Sequence, residues 1–376
     1  MLRYLTAGES HGKYLTSILE GMPSGLKLSE EDINVELKRR QKGYGRGDRM
    51  KIESDKAEIL SGVRHGVTTG APIAIQILNK DWVNWKDIMS IKPIKGSISK
   101  IEIPRPGHAD LAGLIKYETD DIRNILERSS ARETASRVAV GAVCKKFLKE
   151  FDIDVFSHVI QIGKVKMNNY KLPILKKIKS LADKSICHCI SKPVEKNMIK
   201  EIDKAKKEGH SLGGVFEVIA INLPIGLGSF VHWDRKLDAS LAMGILSIQG
   251  IKGIEFGDGF SIANKYGYEA HDEIFFSKKE GFFRKTNHAG GIEGGMTNGN
   301  PLIIRAVMKP ISTMKKALSS INIRTKKTCP AHFERTDICA VPSASIVAES
   351  IIAFELANAY TEKYGNNSLG QIKNPR

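Results

Sequence analysis

The run Ser211-Leu-Gly-Gly-Val-Phe-Glu-Val-Ile-Ala-Ile-Asn-Leu-Pro224-Ile-Gly-Leu227 reads as a strand that begins just after Gly214 and closes in a Pro-x-Gly-Leu turn. The same order stands earlier in the chain. Gly12 precedes the strand-like run Tyr14–Leu19, which leads through Met22 into Pro23-Ser-Gly-Leu26. A helical pattern follows each turn, at 31–40 and at 235–246. Farther on, Thr69-Gly-Ala-Pro72-Ile-Ala-Ile-Gln corresponds to Asn298-Gly-Asn-Pro301-Leu-Ile-Ile-Arg, each a turn that opens a strand. Strand, turn, helix, turn and strand thus occur twice, which predicts a tandem duplication with pseudo-twofold symmetry and a site between the halves. The halves run about 1–150 and 211–360 within a single domain spanning 1–376, each supplying an antiparallel sheet with helices packed on it. The predicted class is α+β. Lysine-rich residues 152–210 show helical periodicity without a convergent polar set and are expected to form a peripheral helical region.

Local signals refine this outline. Ser29-Glu-Glu-Asp32 caps the first helix, with Ile33 and Leu37 on one face. That helix passes into Gly43-Tyr-Gly-Arg-Gly-Asp-Arg49, expected as a mobile loop able to close over an anion. Strands are expected over 52–62 and 72–78, an apolar helix over 346–357, and a frayed tail over 364–376. Trp82 and Trp85 are expected to pack at an edge.

The chemistry concentrates in Pro104–Arg137. Pro104-Arg-Pro-Gly-His-Ala-Asp110 is a stiff bend that presents an imidazole. Asp121-Ile-Arg-Asn-Ile-Leu-Glu-Arg-Ser-Ser-Ala-Arg-Glu-Thr-Ala-Ser-Arg137 then reads as the start of one long helix ending near Phe151. Its first turns carry Arg123, Arg128, Ser129, Ser130, Arg132 and Arg137, fixed guanidinium forks and hydroxyls that make a good anion site. Gly8-Glu-Ser-His-Gly12 offers another hydroxyl and imidazole in a glycine-bracketed turn. Asn287-His-Ala-Gly-Gly-Ile-Glu-Gly-Gly-Met-Thr-Asn-Gly299 must approach something closely, yet lacks the spacing and βα context of a dinucleotide fingerprint. A flat ring against backbone amides fits it better. Lys309-Pro-Ile-Ser-Thr313 adds a cation and two hydroxyls, and Arg335 and Asp337 lie two apart on one side of an extended segment.

Composition narrows the partners. Lys plus Arg number 58 against 42 Asp plus Glu, a net charge of +16, but aromatic residues are only 7%. Lysines scatter while arginines cluster beside glycine and histidine, which favours a local anion pocket over a nucleic-acid surface. No run of 18 apolar residues is present, so no membrane span is expected. Five cysteines and no secretory leader point to the cytoplasm. Cys187-His188-Cys189 is spaced too tightly for a zinc site, so no metal is expected, and Cys144 falls in a packing position.

Taken together, Gly8–Gly12, Gly45-Arg-Gly-Asp-Arg-Met50, Arg105-Pro-Gly-His-Ala-Asp110, Arg128-Ser-Ser-Ala-Arg-Glu-Thr134, His232-Trp-Asp-Arg-Lys-Leu-Asp238 and Gly290–Gly299 resemble the chorismate synthase family, in order and over most of the chain. That resemblance implies a β-α-β sandwich, a homotetramer, and elimination of phosphate from 5-enolpyruvylshikimate 3-phosphate with reduced FMN and no net redox change. It implies that His11 protonates the leaving phosphate, that His108 sits at the N1 edge of the flavin, and that Asp337 acts as a base towards N5 with Ser10 and Ser129 as proton relays. FMN would be held by Arg128, Ser129, Ser130, Gln249, Gly250, Gly294, Lys309, Pro310, Ile311, Ser312, Thr313 and Arg335. Arg40, Arg46, Arg49, Arg105 and Arg132 would meet the phosphate of substrate or NADP. His210, Thr336 and Ile338 depart from the usual family pattern. With no added reductase domain, a separate flavin reductase is expected to supply the reduced cofactor.

Overall fold

The computed structural model describes residues 1–47, 54–94, 96, 98–167, 175–334 and 336–374. The first sheet is built from β1 (Arg3–Ala7), β2 (Tyr14–Glu20), β3 (Ala57–Ile59) and, beyond the small β4–β5 hairpin (Val63–Arg64, Val67–Thr68), β6 (Ile73–Leu78). Its order is β1-β2-β6-β3, antiparallel throughout, with Leu19 opposite Ile73 and Tyr14 opposite Leu78. Alternation decides its faces: Leu15, Ser17, Leu19, Ile73, Ile75 and Ile77 point inward and are buried. Helix α1 (Glu30–Gln41) starts at Ser29, whose hydroxyl accepts from the Asp32 N–H while the Asp32 carboxylate accepts from the Ser29 N–H at 2.9 Å, the expected capping box.

The long helix predicted from 121 to 151 is broken. α2 (Asp110–Lys116) precedes it, α3 covers Arg123–Ser129, a short 3-10 turn covers Ala131–Glu133, and α4 runs Thr134–Lys149. The break lies at Ser130, which takes an extended ψ of 141° while its hydroxyl accepts from the Arg132 N–H at 3.3 Å. A serine that satisfies backbone locally competes with helix continuation.

Residues 152–210 also differ from expectation. They open with β7 (Asp154–Ile162) and β8 (Val165–Lys166), and among the described residues only α5 (Leu175–Lys184) and α6 (Lys192–Glu208) are helical. β7 pairs with β9 (Gly214–Ile221) in the second sheet. α7 (Leu237–Leu246), β10 (Ile251–Phe256), α8 (Gly267–Ala270), the β11–β12 hairpin (Ile274–Ser277, Gly281–Arg284), the β13–β14 hairpin (Ile292–Glu293, Met296–Thr297) and β15 (Leu302–Met308) follow. The second sheet has the antiparallel order β10-β15-β9-β7-β8. Phe156, Ile219 and Ile221 face α5, and Val155, Val159, Phe216 and Val218 face the main core, so β7 is covered on both sides.

After the β16–β17 hairpin (Ser319–Ile321, Thr328–Pro330), α9 (Val341–Tyr364) is apolar on nearly every side and almost wholly buried. It packs on α4, α1 and α7 and on β7 and β9, while α4 packs on β2 and β6. Gly141 of α4 permits the closest crossing, since a Cβ there would lie 2.3 Å from the Ser350 Cβ. Glu349, a fully buried acid of α9, accepts from Arg39 at 2.7 and 3.0 Å, from Ser157 Oγ at 2.7 Å and from Lys145. The expected frayed tail is instead docked. α10 (Leu369–Lys373) buries Leu369 and Ile372, and the Leu369 N–H donates to Ser24 O at 2.8 Å.

The two Pro-x-Gly-Leu turns bond alike. Thr68 Oγ1 donates to Pro23 O and accepts from the Leu26 N–H at 2.6 and 3.0 Å; Thr297 Oγ1 treats Pro224 O and Leu227 in the same way at 2.6 and 2.9 Å.

Candidate active site

The Gly8–Gly12 turn sits between β1 and β2. Asn79, at the end of β6, holds it by donating to the carbonyls of Glu9 and Gly12 at 3.2 and 2.7 Å. Glu127 of α3 accepts from the His11 N–H at 2.8 Å and faces His11 Nδ1 at 2.9 and 3.0 Å. Arg123 donates to the same carboxylate at 3.0 Å. Trp85 stacks on the imidazole with centroids 3.8 Å apart, so it covers a site residue, where edge packing was expected. Ser10 is buried, and the hydroxyl that reaches it at 3.2 Å belongs to Ser130. Ser129, expected as the relay, donates to Ile125 O of its own helix at 2.8 Å, because the helix break at Ser130 turns the next hydroxyl inward.

Behind this turn lies a buried ionic layer. Arg132 donates to Asn79 Oδ1 at 2.9 Å and to Asp55 at 2.5 Å; Arg40 donates to the other oxygen of Asp55 at 3.3 Å, to Thr134 at 3.1 Å and to Ala131 O at 3.1 Å. Burial pushes the Arg40 guanidinium down to about 10; Asp55 pulls the other way, and Arg132 and Arg46 add repulsion. Three guanidinium groups thus gather around the carboxylates of Asp55 and Asp337. Arg46 lies 3.2 Å from Asp337, whose other oxygen accepts from the Gly47 N–H at 2.7 Å. The Gly43–Arg49 loop is stitched to the 336–339 segment as far as Gly47, with the Ile338 N–H donating to Gly45 O at 2.7 Å. Arg49 and Arg335 lie outside the described residues.

A second cluster surrounds His108. Asp110 is buried, lies 2.5 Å from His108 Nδ1 and accepts from Arg105 Nε and Nη2 at 2.8 and 3.0 Å. Burial opposes its charge, but the hydrogen bonds from His108 and Arg105 hold its carboxyl well below the usual range. Arg105 also donates to Thr313 at 3.3 Å. Lys309 donates to Gly107 O beside the imidazole, and its own N–H donates to Gly250 O at 2.9 Å. Burial, then repulsion from Lys252, pushes the Lys309 ammonium down. Next to Gly250, Gln249 donates to Glu133 at 2.9 Å, while Gln249 Oε1 is buried without a partner among the described residues. Such an orphaned acceptor suits a ligand that brings its own N–H. Ser312 lies close to Gly107, and Ile311 O is taken by the Ser211 hydroxyl at 2.6 Å. Pro310 adjoins Gly213.

Glu334 links the two imidazole clusters. Its carboxylate lies 3.8 Å from Arg105 and 3.5 Å from His332. Burial pushes its carboxyl up, but His332, Arg105 and Arg123 together hold it lower. A cavity of about 510 Å³ opens beside Arg123, lined by Ile101, Glu102, Asn322 and His332 among others. Its volume suits a small-molecule ligand.

Not every expected residue joins. Arg128 is exposed and spends its fork on Thr6 and Gly8 carbonyls at 2.8 and 3.0 Å. Gly294 sits at the β13–β14 turn with nothing within 4 Å of a built Cβ. Glu127, Trp85 and Asp55 were missed from sequence; the signal available for Glu127 was a lone acid inside an arginine-serine run.

A family model described as chorismate synthase matches residues 2–361. Chorismate synthase from Geobacillus sp. (strain WCH70) is 52% identical over 375 residues, covering 99% of this chain and 97% of that one. The Bacillus subtilis (strain 168) chorismate synthase is 52% identical over 377 residues, with the same coverage. A solved structure titled "Crystal Structure of Chorismate Synthase" superposes with a TM-score of 0.81 at 44% identity, covering 99% of this chain and 95% of that chain.

Proposed function

The chain belongs to the chorismate synthase family, and we propose that the clusters around His11, His108 and Asp337 form one chamber in which reduced FMN and substrate meet. The reaction is the lyase step of the shikimate pathway, loss of phosphate from 5-enolpyruvylshikimate 3-phosphate to give chorismate. The observation that carries the chamber is the buried arginine layer: Arg132 bonds the Asn79 that holds the turn bearing His11, and it shares Asp55 with the buried Arg40. A phosphorylated dicarboxylate suits such a concentration of guanidinium groups.

The donor set fits a flavin phosphate and ring: Lys309 and Arg105 near Thr313 as cations, and Gln249 with its orphaned oxygen as an acceptor. When bound, the reduced flavin would lend an electron as phosphate leaves and regain it with the ring hydrogen, so that no net redox change results and no strong base is needed. The chain's own residues orient and protonate. His11 gives a proton to the departing phosphate, with Arg40, Arg46 and Arg132 holding its oxygens. His108, backed by Asp110, addresses the flavin edge, and Asp337 serves as the base. Ser10 with Ser130 is the better-supported relay pair, because their hydroxyls meet.

We further read the matched turns as a tandem duplication within a β-α-β sandwich, supported by the equivalent Thr68 and Thr297 bonding. A homotetramer, a cytoplasmic setting and a separate reductase as flavin source belong to the same reading. Among the described residues no helix is long and apolar enough to cross a membrane. The test is anaerobic turnover with photoreduced FMN and no NADPH. Phosphate release is expected, together with a loss of at least ~10²-fold in His11→Ala, the scale of general acid catalysis. Normal turnover in that variant would remove His11 from the mechanism.

A further inference from the structure

We infer that Glu127 is the positioning residue for His11, fixing which ring nitrogen faces the substrate. The inference rests on the proposed role of His11 as proton donor. Glu127 is buried at 2% exposure and grips the Ser10-His11 turn at three points. Its backbone carbonyl accepts from the Ser10 N–H at 2.9 Å. Its carboxylate accepts from the His11 N–H at 2.8 Å and from Nδ1 at 2.9 and 3.0 Å.

An ionised carboxylate only accepts, so Nδ1 carries a proton and the exchangeable position is Nε2. Nε2 makes no hydrogen bond among the described residues, which leaves it as the working end of the ring. Trp85 stacks on the ring face at 3.8 Å with planes 24° apart and blocks its rotation. Trp85 is itself held: its Nε1–H donates to Asp81 at 3.2 Å, and the Arg123 guanidinium lies 5.0 Å over its ring. Arg123 also donates to Glu127, so the imidazole, indole, guanidinium and carboxylate form one closed set.

The other imidazole is built on the same plan. His108 Nδ1 lies against Asp110, and Asp110 is tied to Arg105 as Glu127 is to Arg123. In both places a buried, arginine-bound carboxylate stands behind Nδ1. A carboxylate so placed orients an imidazole and stabilises its doubly protonated form without touching the reacting atoms.

The experiment compares wild type, Glu127→Gln, His11→Ala and the double variant, with 5-enolpyruvylshikimate 3-phosphate and photoreduced FMN under anaerobic conditions. Glu127→Gln keeps the volume and a backbone acceptor but loses the charge and can present an N–H to Nδ1. We expect kcat to fall about 10- to 100-fold with KM within about two-fold, the scale for outer partners of a working imidazole. The double variant is expected to be no slower than His11→Ala alone. A purely structural role would instead multiply the two losses, and that result overturns the inference. So does Glu127→Gln at the wild-type rate while His11→Ala is impaired. If His11→Ala itself turns over normally, the proton-donor reading falls first and identifiably. A readout independent of turnover uses ¹⁵N-histidine-labelled protein without flavin, with His11 assigned by its absence in His11→Ala. Wild type should show the Nδ1–H form and Glu127→Gln a growing Nε2–H form. An Nε2–H tautomer in wild type refutes the assignment.

Discussion

Replacing Asp55 by alanine removes a buried carboxylate that accepts hydrogen bonds from two buried guanidiniums, those of Arg40 and Arg132. Its side chain is 0% exposed, and those of Arg40 and Arg132 are 5% and 6% exposed. What remains around them includes neutral groups: Thr134, Ala131 O and Asn79. Breaking a buried pair by removing one partner costs about 3–5 kcal/mol, because the surviving charge is left uncompensated. For a chain of 376 residues, unfolding entropy of ~2.1 cal/mol/K per residue converts this to a Tm lower by about 4–6 °C. Added inorganic phosphate should recover more of the loss in Asp55→Ala than it adds to wild type, because an anion that binds the native state shifts folding by mass action. Differential scanning calorimetry at low ionic strength, with and without phosphate, measures both effects. A Tm change under about 1 °C, or identical phosphate shifts in the two proteins, would refute the reasoning that this layer is held together against its own charge.

Other perturbations test other levels. Gly141→Ala drives a methyl to 2.3 Å from Ser350 and should cost roughly 1–3 kcal/mol in urea unfolding. Phe147→Ala empties a fully buried site packed edge-on by Phe151 and Tyr360, and should cost about 3–5 kcal/mol by the same measurement. Burial pushes the Glu355 carboxyl up to about 7. The unfolded chain ionises earlier, so this group destabilises the fold progressively as pH rises from about 4.3 to 7, and constantly above that. Glu355→Gln should therefore be more stable than wild type at pH 8, by up to about 3 kcal/mol at ~1.36 kcal/mol per pH unit. The two should converge near pH 4.5 or below, and melting at both pH values checks the sign.

The parts of the fold legible in sequence were those set by local chemistry. Ser29 and Asp32 announced a helix start, and the paired Pro-x-Gly-Leu turns announced two strand ends that the structure places before β4–β5 and β13–β14. Strand β7 was hidden because both of its faces are buried. Val155-Phe-Ser-His-Val-Ile160 shows no alternation, and its polar Ser157 and His158 are paired with Glu349 and Glu217 from elsewhere in the chain. The candidate site was legible as an inventory of imidazoles and guanidiniums, but not as an assignment. Arg39 and Arg40 are neighbours, yet one enters the core to meet Glu349 and the other faces Asp55. Likewise Ser129 and Ser130 are neighbours, yet one bonds Ile125 O of its own helix and the other reaches Ser10, because the helix breaks at Ser130. Non-local partners decide such choices, and spacing alone carries no trace of them.

The position of α9 has a consequence for how this molecule is made. Its 24 residues cover β7 and β9 of the second sheet and pack on α4 and α1, and Asn358 accepts from the Leu2 N–H at 2.7 Å, so Leu2 waits for a partner 356 positions later. At typical elongation rates the nascent chain spends on the order of tens of seconds on the ribosome without that helix. During that interval Val155, Val159, Phe216 and Val218 on β7 and β9 lack their final cover. Emergence of α9 is therefore the moment at which the enzyme can first close, and the growing chain is a natural client for holdase chaperones until then.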